Sequence, residues 1–173
     1  MNEVIKNIKS RRSCKDYKPD MVPEEMINQI VEAGLYAASA MGMQSPIVLV
    51  VTNKEKRDAL SRLNAKYDPR NRQDPFYGAP VILSVIVPKK IATAIYDGSL
   101  VLGNMMLAAH SLGIGSCWIH RAKEVFDDEE GKAFLRDLGL DDEYEGIGNL
   151  AIGYAKQFNS NVVPRKDNRV YHI

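Results

Sequence analysis

Apolar residues near the start of the chain recur with helical spacing. Val4, Ile5 and Ile8 predict a short amphipathic helix over 2–10. Met26, Ile27, Ile30, Val31 and Leu35 predict a second, from Pro23 to about Ala38, opened by Pro23-Glu24-Glu25 with carboxylates at the positive end of the helix dipole. The pattern then changes. Ile47–Val51 and Val81–Val87 are continuous apolar runs, as expected of inner strands buried on both faces. Between them, Thr52 and Glu55 have capping-box spacing and open a helix from Lys54 to about Lys66, followed by a polar loop over 68–75. Ile91–Ser111 reads as a buried helix, Ser116–Ile119 as a third strand and Ile147–Tyr154 as a fourth. A helix capped by Asp127 and Glu130 and ended by Gly139 lies between these two strands. From Gln157 onward the chain reads as an irregular tail with a short β-prone end, Val170-Tyr171-His172-Ile173. The fold class expected is α+β, one domain over residues 1–173, with a central mixed or antiparallel sheet of about four strands flanked by helices.

Composition narrows the function without naming it. With 23 Lys+Arg against 22 Asp+Glu the formal charge is +1, which argues against a generic nucleic-acid binder. Two cysteines, Cys14 and Cys117, exclude a disulfide scaffold and a four-thiolate metal site. Gly98–His120 carries no Asp, Glu, Lys or Arg, yet Ser99, Asn104, His110, Gly113 and Gly115 fit a buried helix and glycine turn better than a bilayer span. The first residues show no apolar signal core, so the expected compartment is a reducing cytoplasm.

Most chemical motifs fail. Gly146-Ile147-Gly148-Asn149-Leu150-Ala151 matches the loose dinucleotide fingerprint but runs into a strand instead of opening a helix. His110, His120 and His172 are too scattered to hold a metal, and His110 reads as a hydrogen-bonded core residue. Arg11-Arg12-Ser13-Cys14-Lys15 is different. In extended backbone alternate side chains share a face, so Arg11, Ser13 and Lys15 converge on one ligand with two cations and a hydroxyl. That set suits a phosphate joined to a carbonyl-bearing ring.

On these residues the chain resembles the nitroreductase family. Arg11-Arg12-Ser13 with a following basic residue and Tyr17 resembles the family's N-terminal flavin motif. Ser39-Ala40-Met41-Gly42-Met43-Gln44-Ser45-Pro46 resembles its loop after the second helix. Gly98-Ser99 through Gly113-Ile114-Gly115-Ser116-Cys117-Trp118-Ile119 resembles its long central helix and following strand. Gly148–Tyr154 resembles its last core strand, and Pro164-Arg165-Lys166 its basic C-terminal motif.

The resemblance implies an FMN-dependent homodimeric oxidoreductase that takes a hydride from NADH or NADPH. Flavin N5 would pass it in ping-pong order to a nitroaromatic, quinone or similar acceptor. Arg11, Arg12, Ser13 and Lys15 would grip the ribityl phosphate and the pyrimidine edge, and Asn64 the ring edge. Trp118, Ile119 and His120 would pass the N5 side, and Arg165 and Lys166 would add charge at the phosphate. Ser39, Ala40, Met41 and Gln44 would come from the other subunit, whose C-terminal tail would also lend a strand to the sheet. No side chain is assigned as catalytic, because the flavin carries the chemistry. The same fold with dehalogenase, ene-reductase or flavin-fragmenting chemistry is the alternative enzyme, and a non-catalytic FMN-binding protein the alternative outside enzymes.

Overall fold

The computed structural model describes residues 1–141, 143–158 and 161–173. Among them four strands pair in the order β1-β2-β4-β3, with β1 Ile47–Val51, β2 Val81–Pro88, β3 Gly115–Ile119 and β4 Tyr144–Gly153. Every pairing between these strands is antiparallel. β2 sits inside the sheet, and its uninterrupted apolar run serves both faces. Val81, Leu83 and Val85 join one core and Ile82 and Ile86 the other. Helices α2 (Glu24–Leu35) and α4 (Ala94–Ser111) cover the first face with Ile27, Ile30, Val101, Leu102 and Met105. Helices α3 (Lys54–Lys66), α5 (Ala122–Asp127) and α6 (Glu129–Arg136) cover the second with Leu60, Leu63, Val125, Phe126 and Leu135. The short α1 (Glu3–Ser10) buries no residue of its own and leaves Val4, Ile5 and Ile8 exposed. No helix among the described residues is long and apolar enough to cross a membrane.

The expected elements are present, with six differences. β1, expected as an inner strand, is an edge strand with Val50 exposed. α4 begins at Ala94, three residues after the expected start. α2 stops at Leu35, three residues before the expected end. The cap of α3 is Asn53, whose side chain accepts from the Lys56 N–H at 3.0 Å, and Thr52 lies outside it. The single helix expected after β3 is two. Asp128 breaks them with extended backbone (φ −74°, ψ 148°) and caps α6 by accepting from the Glu130 N–H at 3.0 Å. The sheet is longer at β4 than the sequence suggests, and the tail end over 170–173 forms no strand within the chain.

Candidate functional site

β3 is an edge strand, and the segment after α1 lies along its outer side. Ser13 forms a parallel bridge with Ser116, and the Cys14 N–H donates to the Ser116 carbonyl at 2.9 Å. Cys14 turns into the core, where the missing side chain of Gly115 makes room for it. A Cβ on Gly115 would lie 2.9 Å from both the Cβ and Sγ of Cys14. Tyr17 anchors the segment's far end, its buried hydroxyl 2.9 Å from the Cys14 carbonyl and 3.1 Å from that of Ala151. Burial pushes the Tyr17 phenol pKa well above its ordinary range, so it stays a neutral donor.

Burial pushes the Cys117 thiol up, while Lys15, a hydrogen bond from Ser13 and Arg11 pull it part of the way back. Ser13 lines both recesses beside this segment, with Arg11 in one and Lys15 in the other. Arg12 does something else. Its Nη1 donates to the carbonyls of Lys9 at 2.8 Å and Arg11 at 2.7 Å, and its Nε to that of Asn161 at 3.0 Å. It ties backbone together, joining the N-terminal segment to the tail.

Two recesses flank this segment. One, of about 640 Å³, is lined by Arg12, Ser13, Lys15 and Arg165. Lys166 lies outside it, in the exposed tail. The other, of about 200 Å³, is lined by Ser10, Arg11, His110 and Ser116. Among the described residues, Arg11 Nη1 and Ser116 Oγ are buried there with no hydrogen-bond partner. Two orphaned buried donors on one wall are costly unless a ligand rich in acceptors satisfies them.

At the other end of β3, Asn64 is buried and its Nδ2 donates to the His120 carbonyl at 3.0 Å. Because the Ser116 carbonyl faces the free edge, the two-residue strand period directs the backbone of Trp118 outward as well. The Trp118 indole packs on the α4 face against Leu102 and Gly148, and Ile119 is buried on the opposite face. The His120 side chain is exposed.

Sequence reasoning missed two residues here. Arg72 and Tyr77 come from the polar loop after α3. The Lys15 ammonium lies 6.0 Å from the centre of the Tyr77 ring, and the Arg72 guanidinium 5.1 Å from it. Arg72 also contacts the Tyr77 hydroxyl and is held by Asp68 at 2.5 Å. Two arginines, Arg70 and Arg72, followed by Tyr77 were the sequence signal, and nothing in the pattern fixed where that loop folds back.

Ser39, Ala40, Met41 and Gln44 are not with the others. Their loop is built locally: Met41 (φ 52°) and Gln44 (φ 48°) sit in the left-handed region, and the Ser39 hydroxyl accepts from the Gln44 N–H at 3.0 Å. Asp97 fixes the loop, accepting from the Ala40 N–H at 3.2 Å. Asp97 is in the first turn of α4 and His110 in its last, so about 20 Å of helix at about 1.5 Å per residue separates this loop from the Arg11 recess. The loop also leads into β1, at the opposite edge of the sheet.

The nitroreductase family model matches residues 8–154. A Bacillus subtilis protein named FMN reductase [NAD(P)H] is 31% identical over 133 residues, covering 67% of this chain and 53% of the relative. A Methanothermobacter thermautotrophicus protein whose name includes NAD(P)H nitroreductase is 30% identical over 125 residues, 67% of this chain and 60% of that one. The chain thus spans only about half to three-fifths of the length of these two curated relatives. A crystal structure of a nitroreductase with bound FMN from Bacteroides fragilis superposes with a TM-score of 0.91 at 31% identity, covering 100% of both chains. With the family model covering most of its length and the fold shared end to end, the chain belongs to the nitroreductase family.

Proposed function

We propose that this chain is an FMN-dependent oxidoreductase that uses NADH or NADPH and acts as a homodimer with composite sites. The observation that carries the reading is the pair of buried, unpartnered donors, Arg11 Nη1 and Ser116 Oγ, beside Ser13, with Lys15 in the neighbouring recess. They fit a phosphate monoester, and the flanking cations fit an electron-rich ring. When bound, FMN supplies the two-electron chemistry, accepting a hydride from the nicotinamide and delivering it to an acceptor such as a nitroaromatic or a quinone in ping-pong order.

The chain's own residues bind and polarise. Arg11, Ser13 and the Ser116 hydroxyl hold the phosphate end, with Arg165 adding charge from the larger recess. Lys15 sets a fixed positive charge at the ring's electron-accepting edge, so negative charge arriving there meets a cation already in place. Asn64, by holding the His120 carbonyl, fixes the end of β3, where the outward backbone of Trp118 faces the ligand. No acid–base pair is required of the protein. Ser39, Ala40, Met41 and Gln44 reach the ligand from the other subunit, which accounts for their distance from Arg11 within one chain. Lys166 assists the phosphate only if the tail moves toward it.

The dimer also gives a use to surfaces that one chain leaves open. Ile95, Tyr96 and Leu100 on α4 and the apolar face of α1 are exposed. The tail from Val162 to Ile173 is exposed throughout. β1 is a free edge beside an apolar groove of about 620 Å³ that includes Phe126, Phe134 and Leu138. A partner's Val170–Ile173 added to that edge would gain backbone hydrogen bonds and cover apolar surface. The chain acts as one domain over 1–173, in a reducing compartment such as the cytoplasm, where Cys14 and Cys117 stay as thiols.

The test is binding followed by turnover. The purified protein takes up FMN in preference to riboflavin and oxidises NADH or NADPH with a quinone acceptor. Joint replacement Arg11→Ala and Lys15→Ala weakens FMN binding by about 3 kcal/mol or more, since charge-assisted hydrogen bonds contribute about 1.5–3 kcal/mol each. Equal affinity for FMN and riboflavin overturns the phosphate assignment. Bound FMN that NADH and NADPH leave oxidised overturns the enzyme.

A further inference from the structure

The smaller recess contains a titratable group that the proposed function leaves unused. His110 stands in the last turn of α4, and its Nε2 lies 2.8 Å from Ser10 Oγ, at the end of α1. Both residues line the cavity that holds the unpartnered Arg11 Nη1 and Ser116 Oγ. Ser116 is only 2% exposed, so its hydroxyl has no access to bulk water and is directed into this space. Every charged group lining the cavity is positive: Arg11 and Arg12 from the segment after α1. β3 contributes the neutral Ser116 and the 157–158 segment the neutral Gln157 and Phe158. Among the described lining residues no carboxylate faces His110.

We propose that His110 and Ser10 form a proton-linked arm of the phosphate site, in which binding of a phosphate monoester dianion brings one proton onto the imidazole. The proposal rests on the FMN reading for the source of that phosphate. Before the ligand arrives, burial and then Arg11 and Arg12 hold His110 below its ordinary pKa, so the ring is neutral at pH 7. With the ring neutral, the Ser10 O–H lies between two acceptors, Nε2 at 2.8 Å and the Asn7 carbonyl at 3.2 Å. A dianion beside Arg11 reverses the local field, and the negative end of the α4 dipole already favours an imidazolium at this position. Once protonated, Nε2–H donates to Ser10 Oγ and frees the Ser10 O–H to donate to a phosphate oxygen. Up to one proton leaves solvent for each phosphate bound, and no bond other than N–H is made.

The experiment titrates the full chain, freed of flavin, with FMN and with riboflavin in buffers of different ionisation heat between pH 6 and 8. The wild type, His110→Gln and Ser10→Ala are compared. The wild type takes up a fraction of a proton with FMN that it does not take up with riboflavin, and His110→Gln loses that fraction. At pH 6.5 His110→Gln weakens FMN severalfold, below the tenfold that one pKa unit of linkage sets as a ceiling, and leaves riboflavin unchanged. Ser10→Ala weakens FMN likewise, because its hydroxyl is the only link from the ring to the ligand. Proton uptake that is the same in His110→Gln and wild type overturns the proposal while leaving FMN binding standing. Equal weakening of FMN and riboflavin overturns it too, by showing a structural effect. A wild type that binds no FMN overturns the reading beneath it.

Discussion

Replacing Gly115 with alanine tests how the cationic segment is seated. The new Cβ would meet Cys14 Cβ and Sγ at 2.9 Å and the Gly153 carbonyl oxygen at 3.2 Å, where ordinary contact begins at 3.4 Å. Cys14 must therefore retreat by roughly 0.5 Å or more, and it is not free to do so. Its N–H is bonded to Ser116 at 2.9 Å and its carbonyl to Tyr17 at 2.9 Å. Overpacking of this kind costs about 1–3 kcal/mol. If the segment lifts instead, it loses the Ser116 bond, worth about 1 kcal/mol, and carries Arg11, Ser13 and Lys15 away from β3. Gly115→Ala therefore lowers the urea midpoint and weakens FMN binding together. Cys14→Ala removes Sγ but keeps Cβ, so the double variant recovers part of the loss, and the cycle of four proteins gives the coupling directly. An unchanged midpoint with unchanged FMN affinity in Gly115→Ala would refute the seating, and full additivity would place the clash elsewhere.

Asp74 accepts from Arg57 at 2.7 Å, Ser61 at 2.7 Å and the Gly78 N–H at 2.8 Å, holding the loop after α3 to its helix. Asp74→Ala lowers stability by about 1.5–3 kcal/mol in urea unfolding, and an unaltered midpoint would show that the loop is held by other means. Asp128 is held at about 2 by hydrogen bonds from Lys66, Tyr67 and the Glu130 N–H. Burial pushes Asp74 up, but Arg57, Ser61 and Gly78 outweigh it and hold it low as well. Carboxylates lowered by folding give stability that is full above their unfolded pKa, about 3.9, and lost as pH falls through the folded value. Melting temperature accordingly falls between about pH 4 and 2, and Asp128→Asn flattens that slope; a slope indifferent to the substitution would assign the acid loss to other groups. Deleting residues 169–173 lowers melting temperature and weakens dimerisation in sedimentation, whereas unchanged mass and melting point would deny the tail a role.

What could be read in the sequence follows the range of the interactions. β2 was legible because continuous burial leaves an unbroken apolar run, whereas β1 carries the same kind of run at the sheet edge, half-buried and with Val50 exposed. The inward turn of Cys14 is a local matter of strand alternation, with Ser13 left to line the recesses beside the segment. The break between α5 and α6 was not legible. Asp127, Asp128 and Glu130 all look like cap residues, and the choice of Asp128 depends on a chain reversal made when Gly131 packs against the Val125 carbonyl. The pairing of Lys15 with Tyr77 and Arg72, and of Ser10 with His110, joins positions far apart in the chain, and no period marks them. The resemblance offered Arg12 as a ligand residue, and nothing in it foretold that its guanidinium would bond three backbone carbonyls.

The length of α4 has a consequence for how damage is shared. Its two ends hold the Asp97-bound loop and the Arg11 recess about 20 Å apart, so on the composite reading each chain gives its recess to one site and its loop to the other. A chain with a ruined recess and a chain with a ruined loop are then each inactive as homodimers. Mixed, they pair into a molecule in which one site collects both defects and the other collects neither. Defects at opposite ends of this helix therefore complement in trans, whereas two different defects at the same end do not, and the helix sorts lesions into two groups by position alone.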